Sequence, residues 1–276
     1  FGDVFAWVKR APESVEQRIA ALPGVRTVQV RVSRFATIDI EGVAEPVMGQ
    51  FVSVPADRQP VLNQLALRSG RLPGEGAEDE VVLNEPFAEA HNLASGEEIV
   101  AVINGHRREL RIVGPALSPE FVYALGPGAL MPDDRRFGIL WMSHGTLAAA
   151  YDLKGAFNSV SLDLERGANT TQVLQQLDRI LEPYGGVGGF AREDQLSNWF
   201  VMNEMEQLRT MSMILPTIFL VISAFLTNMV LGRLVATERG QIGLMKAFGY
   251  SSGEVGLHYA KFVVGIVLVG SLIGIV

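Results

Sequence analysis

The sequence predicts an α+β fold: a split βαβ domain with a β-rich insertion, then a long helix and membrane-spanning helices. Three observations predict it. Residues 1–41 and 157–191 follow one strand–helix–strand plan. Between them, short runs that alternate apolar and polar residues are broken by Gly, Pro and Asn, the pattern of half-buried strands. From Thr210 to Gly232 no residue is charged, and about 20 apolar residues suffice to cross a hydrocarbon core of roughly 30 Å.

The first unit opens with a strand at 2–9. Pro12 suits the first position of a helix, where its missing N–H is no loss. Val15, Ile19 and Leu22 follow at helical spacing until Pro23-Gly24. In residues 25–41, Val28, Val30 and Val32 share one face and Gln29, Arg31 and Ser33 the other, as in one half-buried strand or a pair of them. The second unit has a strand at 157–165. Asn169-Thr170 then starts a helix with Val173, Leu174, Leu177, Ile180 and Leu181 on one face. Pro183 and Gly185-Gly186 stop it, and residues 187–194 return as a short strand. Two βαβ units split by an insertion fit a ferredoxin-like or split βαβ layout.

The insertion, roughly 47–155, offers strands at 45–55, 79–84, 98–105, 107–117 and 137–143. Asn104-Gly105 favours a two-residue hairpin turn. Short helices are expected at Pro86–His91 and Leu147–Ala150, and the Gly/Pro-rich 126–134 is a surface loop.

From about Glu193 the pattern is helical, with Leu196, Phe200, Met205 and Leu208 at roughly helical spacing and no Gly or Pro before Pro216. This reads as a stalk helix that enters the membrane, with Pro216 near its surface, where a bend is tolerated. A polar elbow follows, then a second apolar run from Phe262 to Val276, expected to be a truncated span, or one only just long enough if its helix starts near Ser252. No export signal is readable near Phe1, so an earlier span is expected upstream. Asn228, deep in the first span, is expected to face other helices. Gly270 and Gly274 have the spacing of a close helix contact.

Charge orients the chain. From Arg233 onward there are four Lys/Arg against two acids, and before it 19 basic against 28 acidic residues. Lys and Arg beside the spans place the elbow in the cytoplasm. The net charge of −7 argues against a nucleic-acid partner. The absence of cysteine excludes disulfides and thiolate metal sites.

The elbow is itself a short amphipathic helix. Thr237 is a candidate N-cap, and Ile242, Met245 and Phe248 follow at i, i+3 and i+6. Gly249 sits at the position that favours a left-handed residue. Ser251-x-x-Glu254 is a capping box for the next helix. The apolar face of such a helix requires the headgroup layer or a protein to receive it.

Residues Thr237–Gly249, TERGQIGLMKAFG, resemble the R-E-x-x-E-I-G-x-L-K-A-x-G pattern of FtsX/MacB-type ABC transporter permeases. Gln241 departs from the usual Glu, which removes a charge from that position. Residues 118–143 are similar to a stretch in a long, many-span branch of these permeases. The resemblance implies an organisation as follows: 1–46 and 156–192 form a porter-like subdomain, and 47–155 an inserted β-rich one. A stalk helix at 193–211, a span at 212–235, a coupling helix at 236–250 and a truncated span at 252–276 follow. It also implies a multi-pass protein of the bacterial inner membrane, with residues 1 to about 211 extracytoplasmic. Its partners would be a cytoplasmic ABC ATPase, a second permease copy or half, and periplasmic proteins. Glu238, Ile242, Leu244, Met245, Lys246 and Phe248 would line the ATPase contact. No cofactor and no chemistry of its own are implied.

Other candidates weigh less. The run at Gly185–Gly189 has no Lys-Ser/Thr and no helix after it, so it reads as a turn rather than a phosphate loop. Ser143-His144 near Asp133-Asp134 lacks a nucleophile elbow and reads as a helix cap. Asp133-Asp134-Arg135-Arg136 is a solvated or locally paired run. His91, His106, His144 and His258 lack ligand spacing. A membrane-anchored binding or sensor module, and an anchored hydrolase using Ser143 or His144, are the competing readings.

Overall fold

The computed structural model describes every residue except Glu41, Ala44, Pro46 and Val276. The expected strand ends at Glu41 and Pro46, the 46/47 boundary and the last residue of the second span therefore lie outside the described residues. The chain divides into Phe1–Glu204 and Met205–Val276.

In chain order the first unit runs β1 (Val4–Pro12), α1 (Ser14–Ala20), β2 (Val25–Arg31), β3 (Ser33–Asp39), β4 (Val47–Val54), β5 (Ala66–Leu67) and β6 (Glu80–Asn84). It continues through α2 (Glu85–Ala90), β7 (Glu98–Ile103), β8 (His106–Leu117), β9 (Phe137–Ser143), α3 (His144–Ala150), β10 (Ala156–Leu164), α4 (Thr170–Leu181) and β11 (Gly186–Ala191). One sheet has the order β11-β1-β10-β2 with every neighbouring pair antiparallel. Its strands and helices come in the order βαββαβ, the ferredoxin-like layout expected from the repeated plan. Val4, Ala6, Val8, Val160 and Leu162 from the sheet pack with Val15 and Ile19 of α1 and Val173, Leu177 and Leu181 of α4. The period of two in the strands meets the period of 3.6 in the helices on that face.

The second sheet has the order β5-β8-β6-β9-β4-β3-β7, and β7 also pairs with β8. The long strand β8 takes β7 along its first half and β6 along its second, so six strands close into a barrel. Asn104 (φ +50°) and Gly105 (φ +79°) make the expected tight turn between β7 and β8. The barrel core holds Ile38, Phe51, Leu83, Ile103, Ile112 and Leu140, with Phe87 of α2 and Leu147 of α3 packed into it. Outside the barrel, Val52, Val82, Ile139 and Trp141 form a further core under residues 65–72 and Ala124.

Four local expectations are corrected. Pro12 is the last residue of β1, paired with Ala156. The neighbouring Glu13 N–H is held by the Gly155 carbonyl at 3.0 Å, and the helix starts two residues later than expected. Residues 25–39 are a pair of strands in different sheets, so the second sheet begins at Ser33 rather than at 47. The crossing is stabilised by Asn158, whose amide donates to the Ser33 carbonyl and accepts from the Ser33 N–H, both at 2.7 Å. Among the glycines at 185–189, Gly185 alone turns (φ +75°, followed by β11); Gly186 to Gly189 are strand. Gly186 and Gly189 are small because α4 lies close: a Cβ at Gly189 would stand 2.9 Å from Leu174 Cδ2, and one at Gly186 3.0 Å from Leu181 Cβ. Residues 192–194 form a 3-10 turn, so the long helix α5 (Leu196–Thr237) starts after Glu193.

In the second unit α5 continues without a break through Pro216, followed by α6 (Arg239–Ala247) and α7 (Ser252–Ile275). Both α5 and α7 are long and apolar enough to cross a membrane. Their apolar side chains, such as Phe219, Phe225, Ile266 and Leu272, are exposed, as lipid-facing residues are.

Glu80 on β6 is buried and accepts from Arg71 Nη1 at 2.6 Å, Arg111 Nη2 at 2.8 Å and the Gly74 N–H at 3.0 Å. The Arg71 guanidinium, ahead of the remaining partners, lowers its carboxyl from 4.5 to about 2. A folded value below the ordinary one stabilises the fold above pH 4.5 and loses that stabilisation as pH falls through about 2. Glu80→Gln is expected to cost about 2 kcal/mol at pH 7, the scale of charge-assisted hydrogen bonds whose arginines are half exposed. Urea unfolding across pH should show the gap to the parent chain closing near pH 2.

Candidate functional site

The elbow is built by its caps. α5 ends at Thr237, whose hydroxyl donates back to the Arg233 carbonyl at 2.9 Å. Thr237 is therefore the end of one helix and not the cap of the next. Glu238 occupies the N-cap position of α6 without a side-chain cap bond. At the other end Gly249 is left-handed (φ +94°). Its N–H reaches the Lys246 carbonyl at 3.1 Å, and the Tyr250 N–H reaches the Met245 carbonyl at 3.2 Å. These are the two bonds of a Schellman motif. The capping box then forms as the sequence indicates: Ser251 N–H donates to Glu254 Oε2 at 2.8 Å and Glu254 N–H to Ser251 Oγ at 3.3 Å.

The six elbow residues differ in exposure. Glu238, Ile242 and Met245 are half-buried, while Leu244 (61% exposed), Lys246 and Phe248 (77% exposed) are open. At 100° per residue, Leu244 lies on the side of Gly240 and Ala247, Ile242 lies opposite it, and Phe248 falls between Leu244 and Met245. A Cβ added at Gly240 or Gly243 would meet nothing within 4 Å, so nothing within the chain demands their small size.

A second constellation, which the sequence did not disclose, lies where α5 begins. Arg31, at the end of β2, is buried against Glu120 in a two-pronged ion pair. Its Nη1 donates to Glu120 Oε2 at 2.6 Å, its Nη2 to Oε1, and its Nε to Ser159 Oγ of β10 at 3.1 Å. Asn63 Nδ2 donates to Glu120 Oε2 at 2.8 Å, and Asn63 Oδ1 accepts from the Gly2 N–H at 2.9 Å. Gln195 Nε2 donates to the Glu120 carbonyl at 2.7 Å while its Oε1 caps α5 by accepting from the Asn198 N–H at 2.6 Å. The Tyr123 N–H donates to Ser197 Oγ at 2.9 Å, and the Tyr123 hydroxyl donates to Glu204 Oε2 at 2.6 Å. That carboxylate pushes the Tyr123 phenol up. Beside these groups lies a cavity of about 290 Å³ lined by Phe5, Trp7, Phe121, Phe137, Ile139 and Phe190 among others.

Ser143 caps α3, its Oγ accepting from the Thr146 N–H at 3.4 Å. His144 turns to Ser53 instead: Nδ1 is 2.9 Å from Ser53 Oγ, and Nε2 is 3.5 Å from Glu13 Oε1. This serine–histidine–glutamate row is structural, because Ser53 is buried and its Oγ already accepts from the Val32 N–H at 2.8 Å. Burial, more than the charge of Glu13, raises the neighbouring Glu16 carboxyl. Asp133 accepts from the Arg135 N–H at 3.0 Å and stands 3.8 Å from Arg136 Nε, while Arg136 also pairs with the sequence-distant Glu45 at 2.7 Å, so this run is paired at the surface. Among the described residues no group of His, Asp and Glu is arranged to hold a metal ion.

Residues 213–276 match the FtsX-like permease C-terminal family. No curated protein sequence matches the chain. Among solved structures, the chain is similar to the extracellular domain of the noncanonic ABC-type transporter YknZ from Gram-positive bacteria. The identity is 11%, over 69% of this chain and 98% of that one, with a TM-score of 0.44. It is also similar to the periplasmic region of MacB from Actinobacillus actinomycetemcomitans, at 12% identity over 74% of this chain and 92% of that one, with a TM-score of 0.43.

The buried pair sets a stability test. Arg31→Met leaves Glu120 charged and buried, a loss of about 3–5 kcal/mol. Replacing both residues by Met removes the unpaired charge and is expected to recover much of that loss. Urea unfolding followed by Trp7 and Trp141 fluorescence measures both; equal losses in the single and the double variant would contradict the pairing.

Proposed function

We propose that this chain, whose residues 213–276 match the FtsX-like permease C-terminal family, is a membrane subunit of an ABC transporter of the FtsX/MacB type. In this reading α6 is the coupling helix that docks on a cytoplasmic ATPase. Closure of the ATPase dimer moves α6, and α5 carries the motion to the extracytoplasmic α+β domain. The chain works in the inner membrane beside a second permease copy or half, and it contributes no chemistry of its own.

The observation that carries the reading is the exposed Leu244–Phe248 pair on a short helix capped by its neighbours and set between two apolar helices. An apolar i, i+4 pair flanked by charge is what a helix-in-groove contact needs. Lys246 supplies a flanking charge. Glu238, Ile242 and Met245, which are half-buried, would line the remainder of that contact. Gly240 and Gly243 let the partner's backbone approach closely. The Lys/Arg excess around the elbow supports its cytoplasmic placement.

Leu244→Asp and Phe248→Asp are each expected to abolish co-purification with the ATPase and to lower stimulated ATP hydrolysis at least tenfold. Unchanged capture and turnover in both variants would sink the docking reading. Gly243→Ala distinguishes a protein groove from the headgroup layer. The added methyl favours the isolated helix by about 1 kcal/mol, yet it should weaken ATPase capture, whereas a helix lying in lipid would tolerate it.

A further inference from the structure

The segment from Ser118 to Tyr123 touches α5 in a way that chain connectivity does not require. α5 follows β11 in sequence, through the short 3-10 turn at 192–194. Its first turns are nevertheless tied to residues more than 70 positions earlier. Gln195 holds the Glu120 carbonyl, Ser197 holds the Tyr123 N–H, and Glu204 holds the Tyr123 hydroxyl. The Tyr123 and Phe200 rings lie 5.8 Å apart, between the last two ties. From Gln195 to Glu204 these contacts follow the helix for about 13 Å at 1.5 Å per residue.

The same short segment is anchored on its far side by charge. The Glu120 carboxylate holds Arg31 of the four-stranded sheet and Asn63, which in turn holds the Gly2 N–H. Glu120 thus uses its carbonyl for the helix and its carboxylate for the sheet. Gln195 likewise uses its amide N–H for the segment and its oxygen for the helix cap. A displacement of the first turns of α5 therefore acts on Ser118–Tyr123, and through Glu120 and Arg31 on β2, the strand at the opposite edge of the sheet from β11.

We propose that Ser118–Tyr123 is a latch that couples α5 to both edges of the four-stranded sheet. It couples to one edge by chain continuity from β11 and to the other by the Glu120–Arg31 pair. The latch rests on the permease reading for its purpose, since α5 has a motion to pass on only if the elbow is driven. As a physical connection it stands independently. The ties to α5 are made by polar groups, Gln195, Ser197 and the Tyr123 hydroxyl, and can be removed without truncating a residue of the two large apolar cores.

The test uses the full chain in lipid nanodiscs. The triple variant Tyr123→Phe, Gln195→Ala, Ser197→Ala removes the three ties and leaves Arg31–Glu120 in place. Hydrogen–deuterium exchange is expected to rise at least tenfold at residues 118–123 and 196–204, with exchange in β1 and β10 unchanged. Unchanged exchange at 196–204 would overturn the latch, and so would equal loosening of β1 and β10, which would make these contacts part of the general fold. The single variant Tyr123→Phe supplies a milder check, with the rise expected around Glu204 and no rise there counting against the latch. No ATPase is needed, so failure here is distinct from failure of ATPase capture by the elbow variants.

Discussion

A buried arginine and a buried glutamate tie together three separate parts of the α+β unit: β2, β10 and the loop after β8. Desolvating both ions is expensive, and the cost is offset only if geometry and further hydrogen bonds are complete. Here Arg31 uses Nε, Nη1 and Nη2, while Glu120 receives from Arg31 and Asn63. Apolar cores tolerate repacking when volume and pattern are kept. A buried ion pair tolerates little, because either charge alone is worse than none. The pair therefore fixes where the loop after β8 must lie against β2 and β10. Its main return is position, and the start of α5 depends on that position through Gln195 and Ser197.

The two sheets make this arrangement possible in different ways. The barrel closes through β8, whose length lets it serve β7 and β6 in succession, and a closed sheet leaves few free edges. The four-stranded sheet stays open, with α1 and α4 covering one face. Its other face carries Phe5, Trp7 and Ser159 along the cavity beside Arg31. The chain passes from one sheet to the other at Val32, within a single residue. That crossing holds because Asn158 and Ser53 satisfy the backbone groups of Ser33 and Val32 that leave the ladder.

Features that depend on neighbouring residues were legible in the sequence. The two periodicities located most strands and helices, Asn104-Gly105 marked its hairpin, and Ser251-x-x-Glu254 marked the start of α7. Each is set by contacts within a few positions. What escaped was long-range. Alternation in residues 25–39 shows that one face is buried but not against which sheet, so β2 and β3 could not be separated. Arg31 stood on the polar face of its strand and gave no sign of burial, because its partner is 89 positions away. Thr237 has the chemistry of a cap, yet the same hydroxyl can bond back into the preceding helix, and here it does. The glycines at 186–189 had the look of a turn, and the proximity of α4 explains Gly186 and Gly189 as small residues within a strand.

The elbow and the proposed latch lie at opposite ends of α5 and can be compared by one principle. A helix passes displacement along its axis because its own hydrogen bonds make it stiff, but it passes nothing on unless each end is held by contacts outside the helix. At the elbow the hold is local: the Schellman bonds at Gly249 and the capping box at Ser251 fix the turn between α6 and α7 by backbone geometry. At the other end the hold is remote, through a loop whose own position depends on a buried charge pair. A local hold is written in a motif of a dozen residues. A remote one is spread over Arg31, Asn63, Glu120 and Gln195, and other residues could do the same mechanical work from other positions, which is why the elbow end of this chain carries a recognisable motif and the latch end carries none.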